Sequence, residues 1–384
     1  QVQCTHRGKQ VDTNAAVGLS QQDGMRLSHG EDRNGHRTVH KQCTSQITYA
    51  DEERTMPSSL SVAPDRCIID VHRAGFIDHP YYREWFCGSK DQTNSTLRMR
   101  SVHDGHPLVW NSSISPPQRL AATLAGRTVV IAGDSLALQH FYSLFCSLLH
   151  DGEVDMKATL ATRKGKPKRA RMSFVLRTGS VVHMVQSDFL TQAGSDTAVV
   201  QNVGASYMGP KGMSHRPDES WARLLSRGEN STKDVLILSS GPHWGELNTF
   251  VRPRSWSINS TSWVASYATM TSSVLGYLAE SGFKGITFYR TNFRPGCTND
   301  LKELTSYPNW QHLASGELDD IWVRSACSSY PRLRVLNVSK ASEQRRGEHC
   351  GECHGRGALR DCLHFCIPGA LTTWNLALQE GLQP

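Results

Sequence analysis

Long hydrophobic runs are missing from this chain of 384 residues. No stretch of about 18 or more uncharged apolar residues occurs, whereas a helix that spans a bilayer needs about 20. The chain begins with Gln1, and no apolar signal-peptide core follows it. We therefore expect that any signal or membrane anchor lies upstream of Gln1, and that membrane contact would come only through such an anchor.

Charge of either sign is also limited, at 20% of the residues, and the net charge of +7 is modest. Much of the excess lies in one basic run, Arg163–Arg171. No aromatic residues interleave this run and no nucleic-acid fold signature accompanies it, so we do not expect a nucleic-acid partner. We interpret the run as a solvated loop tip, with binding of an acidic polysaccharide or an anionic donor as the alternative.

Cysteine, by contrast, is abundant, with 11 residues. Five N-x-[ST] sequons accompany them, at Asn94, Asn111, Asn230, Asn259 and Asn337. Disulfides and glycans both belong to oxidising compartments. We therefore expect a glycoprotein of the secretory pathway or a secreted protein. Because 11 is odd, at least one cysteine is unpaired or bonds to another chain.

The polar N-terminal segment has a different composition from the rest. Residues 1–60 lack a sustained apolar period, and such a composition cannot bury enough surface to offset the entropy of ordering. We predict a flexible polar stem over residues 1–60 and one domain over residues 61–384. Within that domain we expect a cap-like, disulfide-tied lobe over 61–120 and the core over 121–384.

Strand and helix patterns alternate through the core. The β-branched run 128–133 predicts a strand buried on both faces, and apolar residues at helical spacing predict a helix over 136–149. Further strands are predicted at 174–177, 181–186, 199–202, 235–239, 286–289 and 333–338, with helices at 263–278 and 371–378. This order predicts an α/β fold with a mostly parallel sheet that helices cover on both faces.

Ser135 lies in the turn between the first of these strands and its helix. A serine in this position exposes its hydroxyl, and nearby N–H groups and the helix dipole can stabilise an oxyanion. Gly133 permits a tight backbone there, and Asp134 could cap the helix. The alternative is that Ser135 is only the N-cap residue.

A carboxylate and an imidazole lie three residues apart near the other end of the chain, at Asp361 and His364. In one turn they can approach a common site, with His364 as general base and Asp361 orienting it. A D-x-x-H pair alone is common, but its combination with G-D-S near a buried strand is far more specific. We predict the triad Ser135, His364 and Asp361.

These segments resemble a known family. Gly133-Asp-Ser-Leu136 is similar to the first block of GDSL/SGNH hydrolases. Asp361-Cys-Leu-His-Phe-Cys-Ile-Pro-Gly369, followed by Trp374-Asn375, resembles the C-terminal signature of PC-esterase domains of the trichome birefringence-like type. Shorter matches in the same order are Ser143–Leu149, Asp234–Trp244, Tyr289–Thr291 and Arg345–His349.

The resemblance implies an SGNH-like three-layer sandwich and polysaccharide O-acetyltransferase activity. It also implies oxyanion or substrate contacts, which we assign to Gly133, Asp134, Ser239, Gly241, His243 and Trp244. For His243, Trp244 and His349, ordinary packing is the alternative. By the same resemblance, Cys362 and Cys366 would clamp the Asp361–His364 turn, with Cys67, Cys87, Cys146 and Cys297 as candidate mates.

Several positions depart from the family pattern. Ser239 stands where an oxyanion asparagine is usual, and Asn202 is a candidate for the missing donor. Leu138 and Gln139 replace the usual Arg-Asn, and Thr372-Thr373 replace an acidic residue before Trp374. These changes affect acceptor choice and oxyanion geometry but leave the predicted triad intact.

One rival motif is Cys350-Gly-Glu-Cys353-His354, which fits haem attachment and one unit of a zinc knuckle. With Cys362, His364 and Cys366 close in sequence, a four-ligand zinc site is conceivable. Only one knuckle unit is present, however, so we favour structural disulfides and expect no metal.

We therefore predict a serine-dependent O-acetyltransferase that moves an acetyl group onto a polysaccharide or glycan through an acyl-enzyme. It would need no cofactor beyond an acetyl donor such as acetyl-CoA. We expect a monomer in the Golgi lumen, as a type II membrane protein, or a secreted protein. The alternatives are a carbohydrate acetyl esterase with the same triad and a non-catalytic glycan-binding relative.

Overall fold

A computed structural model describes the parts of the chain discussed below. These are residues 2–4, 43–45, 47–49, 64–76, 85–86, 116–162, 171–191, 217–242, 244, 260–295, 313, 315–344, 349, 363–367 and 370–383.

A seven-stranded sheet forms the centre of the molecule, with strand order β3-β9-β8-β7-β4-β6-β5. Its strands are β3 (Ile47–Tyr49), β4 (Thr128–Gly133), β5 (Arg171–Val175), β6 (Val181–Gln186), β7 (Val235–Ser239), β8 (Ile286–Arg290) and β9 (Leu333–Asn337). All neighbours are parallel except β5 and β6, which form an antiparallel hairpin. The predicted α/β class with a mostly parallel sheet is confirmed.

Helices connect these strands. They are α1 (Pro64–Arg73), α2 (Pro116–Thr123), α3 (Ser135–His150), α4 (Met156–Ala161), α5 (Glu219–Ala222), α6 (Ser260–Glu280), α7 (Glu317–Ser329), α8 (Ser339–Gln344) and α9 (Leu371–Gly381). A short 3-10 helix covers Gly228–Lys233. Among the helices in the described ranges, none has the length and hydropathy of a membrane span.

The two faces of the sheet carry separate apolar cores. Val129 and Ile131 of β4 pack with α1, α2, α3 and α9 on one face. Val130 and Ala132 pack with α5, α6 and α7 on the other. This alternation follows from the period of two in a strand, and it gives the three layers of an SGNH-like sandwich.

Most predicted elements are present with small changes in their ends. The strand predicted at 174–177 is β5, at Arg171–Val175, and it therefore includes the last residue of the basic run. Residues 1–60 contribute the antiparallel pair β1 (Val2–Cys4) and β2 (Cys43–Ser45), and β3 adds to the sheet edge. The predicted strand at 199–202 lies outside the described residues. The division into stem, lobe and core stays a prediction.

A disulfide between Cys67 and Cys146 ties α1 to α3. The two residues are 79 positions apart, and their Cα atoms lie 5.4 Å from each other. Both belong to the core beneath α3. The bond fastens α1 to α3 within the helical layer on one face of the sheet. Cys327 and Cys366 each take part in a disulfide as well, but not with one another.

His140 is an ionisable residue that the fold buries completely, within α3. Its ring meets the edge of Trp374 of α9, with centroids 5.6 Å apart. Burial, with a smaller contribution from the positive charge of Arg290, lowers the pKa of His140 to about 3, whereas Asn375 acts in the opposite direction. The imidazole is therefore neutral in the native protein over the physiological range.

The burial of His140 predicts acid sensitivity. The unfolded chain takes up a proton near the ordinary pKa of 6.5, whereas the native protein resists it down to about 3. The free energy of unfolding therefore falls as the pH drops below about 6.5. Between about pH 7 and pH 5, urea unfolding should show the wild type losing about 2 kcal/mol more than His140→Phe. Equal losses in both proteins would contradict this account.

Candidate active site

The candidate site lies at the carboxyl ends of the central strands. From β4 the chain continues to β6 on one side and then crosses to β7 on the other, so the strand order reverses at β4. In open α/β sheets, ligands bind at such a switch point, beyond the carboxyl ends of the strands. Ser135 follows β4 at this edge, and Ser239 ends β7 beside it.

Asp134, rather than Ser135, is the N-cap of α3. Its buried carboxylate accepts hydrogen bonds from the backbone N–H groups of Leu136, at 3.0 Å, and Ala137, at 3.4 Å. Ser135 is the first helical residue and is half-buried. The alternative in which Ser135 serves only as the N-cap is therefore wrong, and its hydroxyl remains available for another contact.

His364 supplies that contact. Its Nε2 atom lies 2.7 Å from Ser135 Oγ, although the two residues are 229 positions apart. The imidazole is 7% exposed, and the buried indole of Trp85 stacks on it with centroids 4.8 Å apart. The structure thus brings together the serine and the histidine that the sequence predicted. Asp361 lies outside the described residues.

Gly133 makes the close approach of β4 and β7 possible at the site. A Cβ atom on this residue would overlap the carbonyl oxygen of Ser239 and lie 2.9 Å from the Cβ of Ala137. The Gly133 carbonyl accepts a hydrogen bond of 2.8 Å from Ser187, which follows β6. The turn that carries Ser135 is therefore packed between both neighbouring strands.

The Ser240–Gly241 peptide after β7 is held from several sides. The Ser240 carbonyl accepts hydrogen bonds from Tyr267 Oη at 2.8 Å and Asn292 Nδ2 at 3.3 Å. The Ser240 hydroxyl accepts from Trp244 Nε1 and donates to the Asp188 carbonyl. In a planar trans peptide the C=O and N–H point in opposite directions. The Gly241 N–H is therefore directed away from this buried network.

Asp319 lies at the far side of the same network. It accepts hydrogen bonds from Tyr289 Oη at 2.6 Å and from the Asn292 N–H at 3.0 Å. Burial raises the pKa of this carboxyl to about 6, although these hydrogen bonds act in the opposite direction. The support for the Ser240–Gly241 peptide thus includes a group that titrates in mildly acidic solution.

Ser239 is buried, and its hydroxyl accepts a hydrogen bond from Nη2 of Arg290. The Arg290 guanidinium lies 4.5 Å above the ring of Trp374, a cation–π arrangement. Burial lowers the pKa of Arg290, and the nearby Asp134 carboxylate partly restores it. Asp134 therefore has a second function, as a counter-charge to a cation buried behind the serine turn.

Trp244 and His349 are buried rather than placed at a rim. Trp244 is 3% exposed and packs edge-on against Phe189 and Tyr267. His349 is 1% exposed, and its Nδ1 atom lies 3.2 Å from the His364 carbonyl oxygen. Both adopt the packing role that was the alternative to ligand binding. His243 and Asn202 lie outside the described residues.

The rival metal motif loses one of its ligands. Cys366 is disulfide-bonded, so it is not a thiolate. The Nε2 atom of His364 contacts Ser135 instead of a shared metal position. In the described ranges, no group of three or more His, Cys, Asp or Glu side chains is arranged to hold a metal ion. Cys350, Cys353, His354 and Cys362 lie outside those ranges.

Three contacts at the site did not follow from the sequence. Gln139 bonds to the backbone beside His364, Trp85 stacks on the imidazole, and Arg290 bonds to Ser239. The only advance signals were that Arg290 lies within a family block and that Gln139 departs from the family pattern. Nothing in the local sequence singled out Trp85.

The fold and the position of Ser135 define the class of GDSL/SGNH-like α/β proteins. Comparison with known families agrees with this. Residues 115–380, well over half of the chain, match PC-esterase, described as a GDSL/SGNH-like acyl-esterase family found in Pmr5 and Cas1p. The chain belongs to this family.

Curated relatives come from Arabidopsis thaliana, and each is 23% identical to the chain. Protein trichome birefringence-like 38 aligns over 67% of the chain and 66% of its own length, just under two thirds. Protein trichome birefringence-like 13 aligns over 77% and 76%, respectively. Xyloglucan O-acetyltransferase 1 aligns over 88% and 86%.

The packing at Gly133 predicts that Gly133→Ala damages both stability and the site. The added methyl group must push β4 from β7, which should cost about 1–3 kcal/mol of unfolding free energy and displace Ser135. Urea unfolding measures the first effect, and the rate of Ser135 labelling by a fluorophosphonate measures the second.

Gly276→Ala is the matched control, because a Cβ atom at this position in α6 meets nothing within 4 Å. It should leave labelling unchanged and stabilise the helix by up to about 1 kcal/mol. If Gly133→Ala labels as fast as Gly276→Ala, the close approach is not needed at the site.

Proposed function

We propose that this protein is a serine-dependent O-acetyltransferase that acetylates hydroxyl groups of a polysaccharide through an acyl-enzyme. The observation that carries the proposal is the 2.7 Å contact between His364 Nε2 and Ser135 Oγ, at the carboxyl edge of the sheet. A hydroxyl in direct contact with an imidazole is the arrangement that nucleophilic catalysis requires. Membership of an acyl-esterase family supports the same chemistry.

In the first half-reaction, Ser135 Oγ attacks the carbonyl carbon of the acetyl donor. His364 Nε2 accepts the hydroxyl proton as the new C–O bond forms. Collapse of the tetrahedral intermediate breaks the bond to the leaving group, which takes that proton from His364. Asp361 would orient the imidazole and stabilise its charged form, as the D-x-x-H spacing suggested.

The oxyanion of this intermediate would be held by backbone N–H groups. The Ser135 N–H, at the first residue of α3, has no acceptor within its own helix and lies at the positive end of the helix dipole. The Gly241 N–H is a second candidate, because the opposite end of its peptide is anchored by Tyr267 and Asn292. Ser239 is a third candidate, since its hydroxyl accepts from Arg290 and keeps its own O–H to donate.

In the second half-reaction, a sugar hydroxyl gives its proton to His364 and attacks the acetyl-serine. The acetyl ester on the sugar forms, the ester to Ser135 breaks, and Ser135 recovers its proton from His364. One similarity favours a polysaccharide acceptor over water, because a relative aligned over most of the chain is named as a xyloglucan O-acetyltransferase. Acetyl-CoA is the donor class that we propose, with no further cofactor.

We also propose that the protein works as a monomer in the Golgi lumen or after secretion. The disulfide Cys67–Cys146 is typical of an oxidising compartment. The Asn230 side chain belongs to a sequon and lies on an exposed 3-10 helix, where a glycosyltransferase could reach it. These two observations support the location but not an anchor.

Removal of the Ser135 hydroxyl should abolish turnover. Ser135→Ala leaves no nucleophile, and we expect the rate of acetyl transfer to fall by about 10³-fold or more. Ser328→Ala is the control, because Ser328 is exposed on α7 near the start of β9, at the amino-terminal edge of the sheet. Retention of full acetyl transfer by Ser135→Ala would refute the acyl-enzyme mechanism.

The fate of the acetyl group separates a transferase from a hydrolase. The full chain would be supplied with acetyl-CoA carrying a labelled acetyl group, with xyloglucan oligosaccharides, with xylan, or with no glycan. We expect label on a glycan by mass spectrometry, and little free acetate when the glycan is present. Label that accumulates only as acetate, at a rate that glycan does not change, would instead identify an esterase.

Failure to label Ser135 with a fluorophosphonate, together with specific binding of a glycan, would identify a non-catalytic relative.

A further inference from the structure

His364 reaches Ser135 from a separate segment near the end of the chain, so something must hold that segment in register with α3. The residue after His364 is Phe365, whose side chain is fully buried between His349 and Phe293. Side-chain packing fixes the depth of the segment. It does not by itself set the rotation of the backbone that aims the imidazole.

Gln139 makes that connection with both ends of its side-chain amide. Its Nε2 atom donates to the Phe365 carbonyl at 2.7 Å, and its Oε1 atom accepts from the Phe365 N–H at 3.1 Å. The Gln139 side chain has no exposed surface. Two bonds to the donor and acceptor of one residue set both the distance and the rotation of the backbone next to His364.

The position of Gln139 on α3 makes this contact relevant to the nucleophile. Residues four apart lie above one another on the same helix face, so Gln139 and Ser135 are neighbours along α3. One turn of α3 therefore carries both the Ser135 hydroxyl and the Gln139 amide. The amide bonds to the segment that bears His364, the imidazole in contact with that hydroxyl. The His364 segment is therefore joined to α3 at two places, Ser135 and Gln139.

The burial of the amide makes the arrangement hard to replace. Water has little access to the Phe365 N–H and C=O, so removal of the amide would leave both backbone groups without those partners in an apolar environment. The segment would then move to satisfy them. A displacement of about 1 Å at a catalytic group can lower a rate by about 10²-fold.

We propose that Gln139 is a positioning residue, which holds His364 in reach of Ser135 by clamping the Phe365 backbone. The assignment of Ser135 and His364 as nucleophile and base rests on the proposed function. An asparagine at this position would be one methylene shorter, so its amide could keep at most one of the two bonds to Phe365.

The test compares Gln139→Met with Tyr142→Phe. The first removes both amide bonds at nearly constant volume. The second removes a different buried bond from the same helix, from Tyr142 Oη to the Phe76 carbonyl at 3.0 Å. We expect Gln139→Met to lower kcat and the rate of fluorophosphonate labelling by about 10- to 100-fold with KM changed less than about twofold. Tyr142→Phe should retain activity at a comparable loss of thermal stability.

Gln139→Asn should recover only part of the lost rate, because its shorter amide can keep one of the two bonds. A loss of activity in Gln139→Met no greater than in Tyr142→Phe would overturn the proposal. A residue that acts through His364 should have no effect once the imidazole is gone. The proposal would therefore also be overturned if Gln139→Met lowered labelling as much in the His364→Ala background as in the wild type.

Amide hydrogen exchange tests the clamp without reference to activity. The peptide that contains Phe365 should exchange faster in Gln139→Met than in the wild type or Tyr142→Phe. Unchanged exchange would overturn the clamp itself. If exchange is faster in Gln139→Met but Ser135 of the wild type is never labelled by the fluorophosphonate, the clamp stands and only the proposed function is contradicted.

Discussion

The contact between His364 and Ser135 depends on a short stretch of chain that is anchored at four of its backbone polar atoms. The Phe365 N–H and C=O bond to Gln139, the His364 carbonyl lies near His349, and the Ile367 N–H donates to the Trp85 carbonyl. A peptide segment with all of these partners has few alternative conformations. The imidazole that it carries is therefore held at 2.7 Å from the hydroxyl without a regular helix or strand around it.

On the other side of the contact, the serine turn is supported by buried charge. The Asp134 carboxylate caps α3 and lies near the Arg290 guanidinium, which is itself stacked on Trp374. Buried charges are costly unless they are paired, so these groups depend on one another. Neutral His140 belongs to the same region, since a second cation beside Arg290 would be unfavourable. The polar residues beneath the site thus form one electrostatic unit.

Much of the architecture could be predicted from the chain alone. β4, β6, β7 and β8 and helices α3, α6 and α9 were placed within a few residues of their ends, because buried strands and amphipathic helices have strong periodicity. The three-residue strands β1, β2 and β3 were not predicted, since a segment this short has no measurable period. Helices α1 and α7 were missed as well, and both are rich in charged residues.

The site was predictable only in part, and α3 shows why. Its apolar residues follow the helical period, yet Gln139, His140 and Ser143 are buried as fully as the apolar residues around them. On an amphipathic helix such polar residues usually form a solvated face. In the structure α9 and the His364 segment cover that face, so each polar side chain must find a partner there. The covering elements come from more than 200 positions later in the chain.

The sequence by itself determined the order of the main strands and helices of the core, the serine at the start of a helix, and the D-x-x-H and G-D-S motifs that indicate the family. These properties depend on neighbouring residues and on the periodicity of burial. Only the tertiary structure decided that Asp134 is the N-cap of α3, that Trp244 is buried in the core, and that Gln139 bonds to the backbone next to His364. Each of these depends on which distant segment lies opposite a side chain, and local sequence does not contain that information.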